Sequence, residues 1–281
     1  MIHFEKTLLL RESLPLYFKR VLFTTPRNYA AKLARLLVLR GALPVWMPTI
    51  VIEPMHKYHE FDRAITSLSD YGWVAFTSRN GIDAFFDRLE ALKLDRGVLH
   101  NTKVCALGKD AEALQERGVP VDLLPPVATT KGIVDELERR GIKGGRILLP
   151  VPEVVGMDEP RVIPDLVGWL AGIGMDVHRV PAYTTTRNSD GLSAEKKMLL
   201  DGAIDMVAFT SAAEIESLLF LLGEERDVLQ RTAIACYGPV TAGGATERGV
   251  NPKIVSTDFS ALEGFIEAME AYYVTGGKRG G

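Results

Sequence analysis

The stretch WVAFTS, Trp73 to Ser78, returns later in the chain as MVAFTS, Met206 to Ser211. The match runs on into the following residues. After the first copy Ile82, Phe85, Phe86 and Leu89 fall on one face of a helix; after the second, Ile215, Leu218, Leu219 and Leu222 do the same, 133 positions on. The next apolar run ends in glycine both times, at Gly108 and Gly238, and a short helix of small residues then leads to ERGV. An opening run repeats as well, RVLFTTP from Arg20 and RILLPVP from Arg146, each followed by a helix and by Gly41 or Gly174. A unit of about 130 residues is thus used twice. Its strands are short and apolar on both faces, with amphipathic helices between them, which is the pattern of a parallel sheet covered on both sides. The sequence therefore predicts an α/β fold of two doubly wound parallel-sheet domains. With 281 residues, 47% of them apolar, the chain is long enough for two ordinary cores.

The remaining composition mainly excludes. A net charge of −3 provides no general field for nucleic acid or an anionic membrane, so neither is expected as a partner and an anionic ligand must be held by local groups. Cys105 and Cys236 lie in the apolar runs KVCALG and AIACYG and read as packed core thiols. No secretory leader and no apolar run near the ~18 residues of a membrane span is visible, so a soluble intracellular protein is expected. The opening MIHFEKTLLLRESLPLYFKR fits a trimmed precursor end, an amphipathic helix or an added terminus; the closing VTGGKRGG reads as a frayed tail. The five histidines have no metal-ligand spacing beyond His56 and His59 in a charged loop, and no metal site is expected. Dinucleotide, P-loop and nucleophile-elbow motifs are missing.

The strand ends remain. In open α/β sheets ligands bind beyond the carboxyl ends of the strands, where the free N–H groups of helix starts favour anions. Thr24, Thr25, Thr77, Ser78, Thr210, Ser211, Gly108 and Gly238 all stand there. Ser211 has a second explanation, since Glu214 three residues on makes a capping box; SALE, Ser260 to Glu263, has the same form. Ser78 lacks the acidic partner, and its neighbours Asn80 and Gly81 suit a backbone that approaches something closely.

FTSRNGIDAFF, AIACYGPVTAGGATERGV and VHRVPAYTTTR, in this order and spacing, resemble the uroporphyrinogen-III synthase family, over roughly Val21 to Tyr273. The resemblance implies that the two domains are not successive halves. Residues 1–43 and 188–281 would form one, 54–176 the other, and 44–53 with 177–187 a two-stranded β-ladder acting as the hinge. It also implies a reaction of tetrapyrrole biosynthesis, leading to heme and chlorophyll. Hydroxymethylbilane would be closed in the interdomain cleft, with loss of water and inversion of its last ring, without a cofactor. Unassisted closure gives the uninverted type I isomer, so the demand is chiefly for positioning. Two facing hydroxyl-lined corners would suit a ligand with carboxylates around its rim.

On the family's motif Tyr183 is the expected proton donor to the departing hydroxyl. Thr25, Arg27, Thr77, Ser78, Asn80, Lys109, Thr210, Ser211, Gly238 and Thr241 are the expected substrate-binding residues. The chain departs from the motif twice. Thr24-Thr25 stands where the family often has threonine-arginine, with Arg27 two residues on. Ala111 stands where the second copy has Thr241, leaving that side to Lys109 or the backbone. The resemblance further implies a monomer in the cytoplasm, or alternatively a plastid stroma, that receives its substrate from the preceding deaminase. The competing reading is a noncatalytic two-lobed binder of a tetrapyrrole or a small anion.

Overall fold

The computed structural model describes residues 14–188 and 190–275, so the opening segment up to residue 13 and the tail from residue 276 lie outside the described residues. The chain divides into two compact units. Among the described residues, the first comprises 14–51, 156–158, 186–188 and 190–275, the second 52–155 and 159–185.

The sheet of the first unit contains β1 (Arg20–Phe23), β2 (Leu43–Trp46), β8 (Met206–Phe209), β9 (Ala233–Cys236) and β10 (Ile254–Val255), in the order β10-β9-β8-β1-β2. These pairings are parallel, with Val21 opposite Met206, Arg20 opposite Leu43, Met206 opposite Ala233 and Ile254 opposite Ala235. Side chains alternate across a strand, so apolar residues at every position supply both faces at once. Val21, Phe23, Met206, Ala208 and Ala235 pack with Leu33 and Leu37 of α1 (Arg27–Leu39) and with Phe265 and Met269 of the last helix (Leu262–Val274). Leu22, Val207, Phe209, Ile234 and Cys236 point the other way, against Ile215, Leu218 and Leu222.

The second unit repeats this division. Its sheet contains β3 (Ile50–Pro54), β4 (Trp73–Phe76), β5 (Lys103–Ala106), β6 (Arg146–Val155) and β7 (Asp176–Arg187), in the order β3-β7-β6-β4-β5. Trp73, Ala75, Cys105, Ile147 and Leu149 face one core, and Val74, Phe76, Val104, Ala106 and Leu148 face the other. Helices α2 (His59–Thr66), α3 (Arg79–Ala91) and α4 (Asp110–Glu116) contribute Phe61, Ile82, Phe85 and Leu114 to the latter. β4 runs parallel to both β5 and β6, and Leu123 makes one further parallel bridge to Cys105. Compared strand by strand, the two copies have exchanged their first βαβ units. β1 and β2 come from the first copy and join β8, β9 and β10 of the second; β6 and β7 come from the second and join β4 and β5 of the first.

Two glycines mark the copies closely. Gly41 (φ +80°) and Gly174 (φ +84°) both take the left-handed conformation that ends the helix of that first βαβ unit. A second pair was not apparent in the sequence: Gly132 in α5 (Thr130–Arg139) and Gly264 in the last helix. At each, an added Cβ would lie 2.2 Å from a backbone oxygen, of Val127 or Asp258.

The structure corrects two expectations, for 44–53 and Ser260, and adds detail to a third. The stretch 44–53 is not one ladder strand. Its first part is within β2, bonded to β1 in the first sheet, while β3 neighbours β7; Pro48 interrupts the extended run between them. Residues 177–187 are part of the twelve-residue β7, a full member of the second sheet next to β6. Ser260 makes no capping box: its hydroxyl donates to Asp258 Oδ1 (2.6 Å), and the last helix starts at Leu262 behind Ala261. Cys105 and Cys236 are free, buried thiols as expected, and burial pushes both up in pKa, Cys236 to about 12. Among the described residues no helix is long and apolar enough to cross a membrane.

Candidate active site

The second unit presents a polar cluster at the carboxyl ends of β4 and β5. β4 ends into Thr77, which is half-buried, and Ser78, which caps α3 by accepting from the Gly81 N–H at 3.3 Å. Gly81 is small for a reason, since a Cβ there would stand 3.2 Å from the Pro150 carbonyl oxygen of the neighbouring β6. The same Ser78 oxygen lies 3.0 Å from the phenol oxygen of Tyr183, carried in by β7. The Tyr183 ring is 7% exposed and packs in the core around Phe76, Ile82 and Ala182, so only its hydroxyl serves the cluster. Burial raises the phenol pKa. Hydrogen bonds with Ser78 and Asn80 oppose the rise, and the charge of Asp110 adds to it. At neutral pH this group keeps its proton.

Asp110 is a member of the cluster that the sequence reading passed over. After β5 the chain turns through Gly108 (φ +47°) and exposed Lys109 into α4, which Asp110 opens. Desolvation pushes its carboxyl up to about 6, against the lowering effect of Arg79 and with the help of Asp83. Arg79 is itself drawn to Asp83, its Nε donating to Oδ1 at 3.2 Å, and Arg117 donates to the same oxygen at 2.5 Å. The available signal lay in the repeat, where an acid stands at the position held by Val240 in the second copy.

The corresponding corner of the first unit differs. Glu214 stands where the first copy has Gly81, and it is 1% exposed. Its Oε2 accepts from the Thr24 hydroxyl (2.7 Å) and the Thr210 N–H (3.0 Å); its Oε1 accepts from Ser211 Oγ (3.2 Å) and from the Thr210 hydroxyl. Burial raises the Glu214 pKa, and these bonds oppose the rise. A hydroxyl has one proton to donate, so those of Thr210 and Ser211 are committed to an internal carboxylate. The expected capping role of Ser211 is present, with its oxygen accepting from the Glu214 N–H at 3.4 Å. Thr241 likewise donates inward, to the Thr210 carbonyl at 3.1 Å. At Gly238 an added Cβ would stand 3.0 Å from the Phe259 ring, so packing alone accounts for a glycine there.

Thr25 is fully buried, its carbonyl accepting from Trp46 Nε1 at 2.9 Å; its hydroxyl has no hydrogen-bond partner among the described residues. Arg27 opens α1 and is exposed. The structure thus brings Ser78, Asn80 and Tyr183 together in the second unit. In the first it turns Thr210, Ser211 and Thr241 inward. No group of three or more residues fit to hold a metal occurs among the described residues.

The chain is similar to known proteins in sequence and in fold. The family model described as "Uroporphyrinogen-III synthase HemD" matches residues 31–265. The porphyrin biosynthesis protein HemD of Ruminiclostridium josui is 29% identical over 263 residues; the alignment covers 91% of this chain but 49% of that protein, so the chain spans about half that relative's length. The uroporphyrinogen-III synthase of Chlorobaculum parvum is 27% identical over 90% of this chain and 100% of its own length. The crystal structure of a mutant uroporphyrinogen III synthase from the extremely thermophilic bacterium Thermus thermophilus superposes with a TM-score of 0.64 at 25% identity, covering 90% of this chain and 99% of that one. With the family model covering most of the sequence and the α/β architecture agreeing, this chain belongs to the uroporphyrinogen-III synthase family.

Proposed function

We propose that this chain closes hydroxymethylbilane to uroporphyrinogen III, inverting the last ring and releasing water without a cofactor. The observation that carries the reading is the contact between the buried Tyr183 phenol and the half-buried Ser78 hydroxyl, 3.0 Å apart at a strand end. With the phenol donating to Ser78, the serine proton is directed outward, towards a bound substrate.

The C–O bond of the hydroxymethyl arm breaks with electrons from its pyrrole, and the oxygen leaves as water with the Ser78 proton. Ser78 is reprotonated by Tyr183, and the proton released when the macrocycle closes restores the phenol. In the second unit the carboxylate arms are held by the helix-start N–H groups of α3 and by the Arg79 and Lys109 side chains, with Thr77 and Asn80 beside them. Such anchoring favours attack by the substituted carbon of the last ring over simple closure. The substrate is taken from the preceding deaminase.

A noncatalytic binder is the second reading, and the occupation of the first corner by Glu214 favours it. Rate measurements on Ser78→Ala and Tyr183→Phe test the proposal. We expect both to lower the rate of type III formation, Ser78→Ala by about a hundredfold, the lower end of a general-acid contribution. If both variants turn over at the wild-type rate, the relay is refuted.

A further inference from the structure

We propose that the first unit carries a subsite for a pyrrole ring with a carboxylate arm, in which the face of Trp46 takes the ring and the start of α1 takes the arm. The inference draws its ligand class from the reading above and names a residue that the family motif does not. Trp46 is the last residue of β2, the edge strand of the first sheet, and lies opposite Phe23, the last residue of β1. Its indole N–H donates to the Thr25 carbonyl at 2.9 Å, two residues beyond the end of β1. This bond fixes the indole beyond the carboxyl end of the sheet and satisfies its one polar group, yet 38% of the residue stays exposed. A flat aromatic face held in this way suits stacking against a second aromatic ring. The fold does not require an indole there, since the second copy has Arg179 at the same place, 133 positions on.

The same carbonyl brings the indole beside the start of α1. That helix of thirteen residues begins behind Pro26, which offers no capping side chain, and no acid in its first turn offsets the partial positive charge of the helix start. Arg27, exposed in that turn, adds a full charge. Thr25, the residue before Pro26, is fully buried, and its hydroxyl has no hydrogen-bond partner among the described residues. A buried hydroxyl left unpaired costs free energy, and an arriving carboxylate supplies the acceptor. Trp46, Thr25 and Arg27 thus call for one ligand that is flat and aromatic at one end and anionic at the other.

The test observes Trp46 directly and needs no turnover. In the full chain with 15N-labelled indoles, the Trp46 signal among the three tryptophans is the one lost in Trp46→Phe. The probe is a single pyrrole bearing one acetate and one propionate arm. It is expected to shift the Trp46 signal saturably, with a midpoint in the millimolar range of a small fragment, and to leave Trp73 and Trp169 of the second unit in place. The dimethyl ester of the same pyrrole should bind about threefold more weakly, as should the diacid to Arg27→Gln. Measured on the ligand by saturation transfer, Trp46→Leu should weaken binding about threefold to tenfold and Trp46→Phe should recover most of it, because leucine keeps the apolar bulk without the aromatic face. An unmoved Trp46 signal, or a Trp46→Leu variant that binds as tightly as the wild type, with type III formation intact, overturns the subsite alone. A saturable shift in a chain that forms no type III product overturns instead the catalytic reading and leaves a binder of pyrrole carboxylates.

Discussion

Glu214 offers the sharpest stability prediction, because one carboxyl collects four donors in a place that water scarcely reaches. Glu214→Ala leaves the Thr210 N–H and the hydroxyls of Thr24, Thr210 and Ser211 without their acceptor. A buried donor left unsatisfied costs about 1–3 kcal/mol. The sum is reduced because Thr24 can turn to the Ala208 carbonyl, already 3.4 Å away, and because Thr210 and Ser211 are only half-buried. Removing a desolvated acid also returns part of the loss. A net destabilisation of roughly 3 kcal/mol is expected. Glu214→Gln keeps one acceptor oxygen, and its loss should be about half as large. Urea unfolding followed at Trp46 of the first unit, with Trp73 and Trp169 replaced by Phe, isolates the affected part of the chain. A loss below about 1 kcal/mol at unchanged slope would show that these hydroxyls are not committed to Glu214 and are free to serve a ligand.

Three further outcomes follow from the same packing and electrostatics. The folded pKa of Asp110 lies above its ordinary value, so its stabilising share is complete at low pH and is lost as pH rises through about 6. Asp110→Asn should therefore raise the melting stability by up to roughly 2–3 kcal/mol near pH 7.5 and by little near pH 4; an equal effect at both, measured by calorimetry, contradicts the assignment. Gly132→Ala and Gly264→Ala each push a Cβ to 2.2 Å from a backbone oxygen and should each cost about 3 kcal/mol or more in a urea melt. Gly238→Ala, 3.0 Å from the Phe259 ring, should cost only about 1–2 kcal/mol and leave type III formation intact, separating packing from ligand binding at that position.

The repeat made the strands legible because both faces of each sheet are buried, so that every position of WVAF or MVAF had to be apolar. It did not reveal by itself which strand pairs with which. Exchanging the first βαβ unit between copies leaves each local pattern unchanged, and that feature came only through the family resemblance. The break at Pro48 was visible as a residue, but its consequence depended on β2 finding β1 as its partner. At the site, Ser78, Asn80 and Tyr183 were found because a motif placed them. The inward turn of Thr210 and Thr241 was not, since a hydroxyl at a strand end has the same sequence signature whichever way its proton points. Glu214 was recognised as a capping partner, but its contact with Thr24 joins residues 190 positions apart and has no local signal. Asp110 carried no such mark, because an acid in the first turn of a helix is already expected from the helix dipole and belongs to no motif.

Control over how the tetrapyrrole closes is the claim that separates a synthase from a binding protein on the same fold. Freshly generated hydroxymethylbilane, incubated with the full chain and separated into its oxidised isomers by chromatography, tests that claim directly. A product dominated by type III, in proportion to the amount of protein, is the predicted result. Type I at the rate and yield of buffer alone would contradict it and leave a binding protein on a synthase fold.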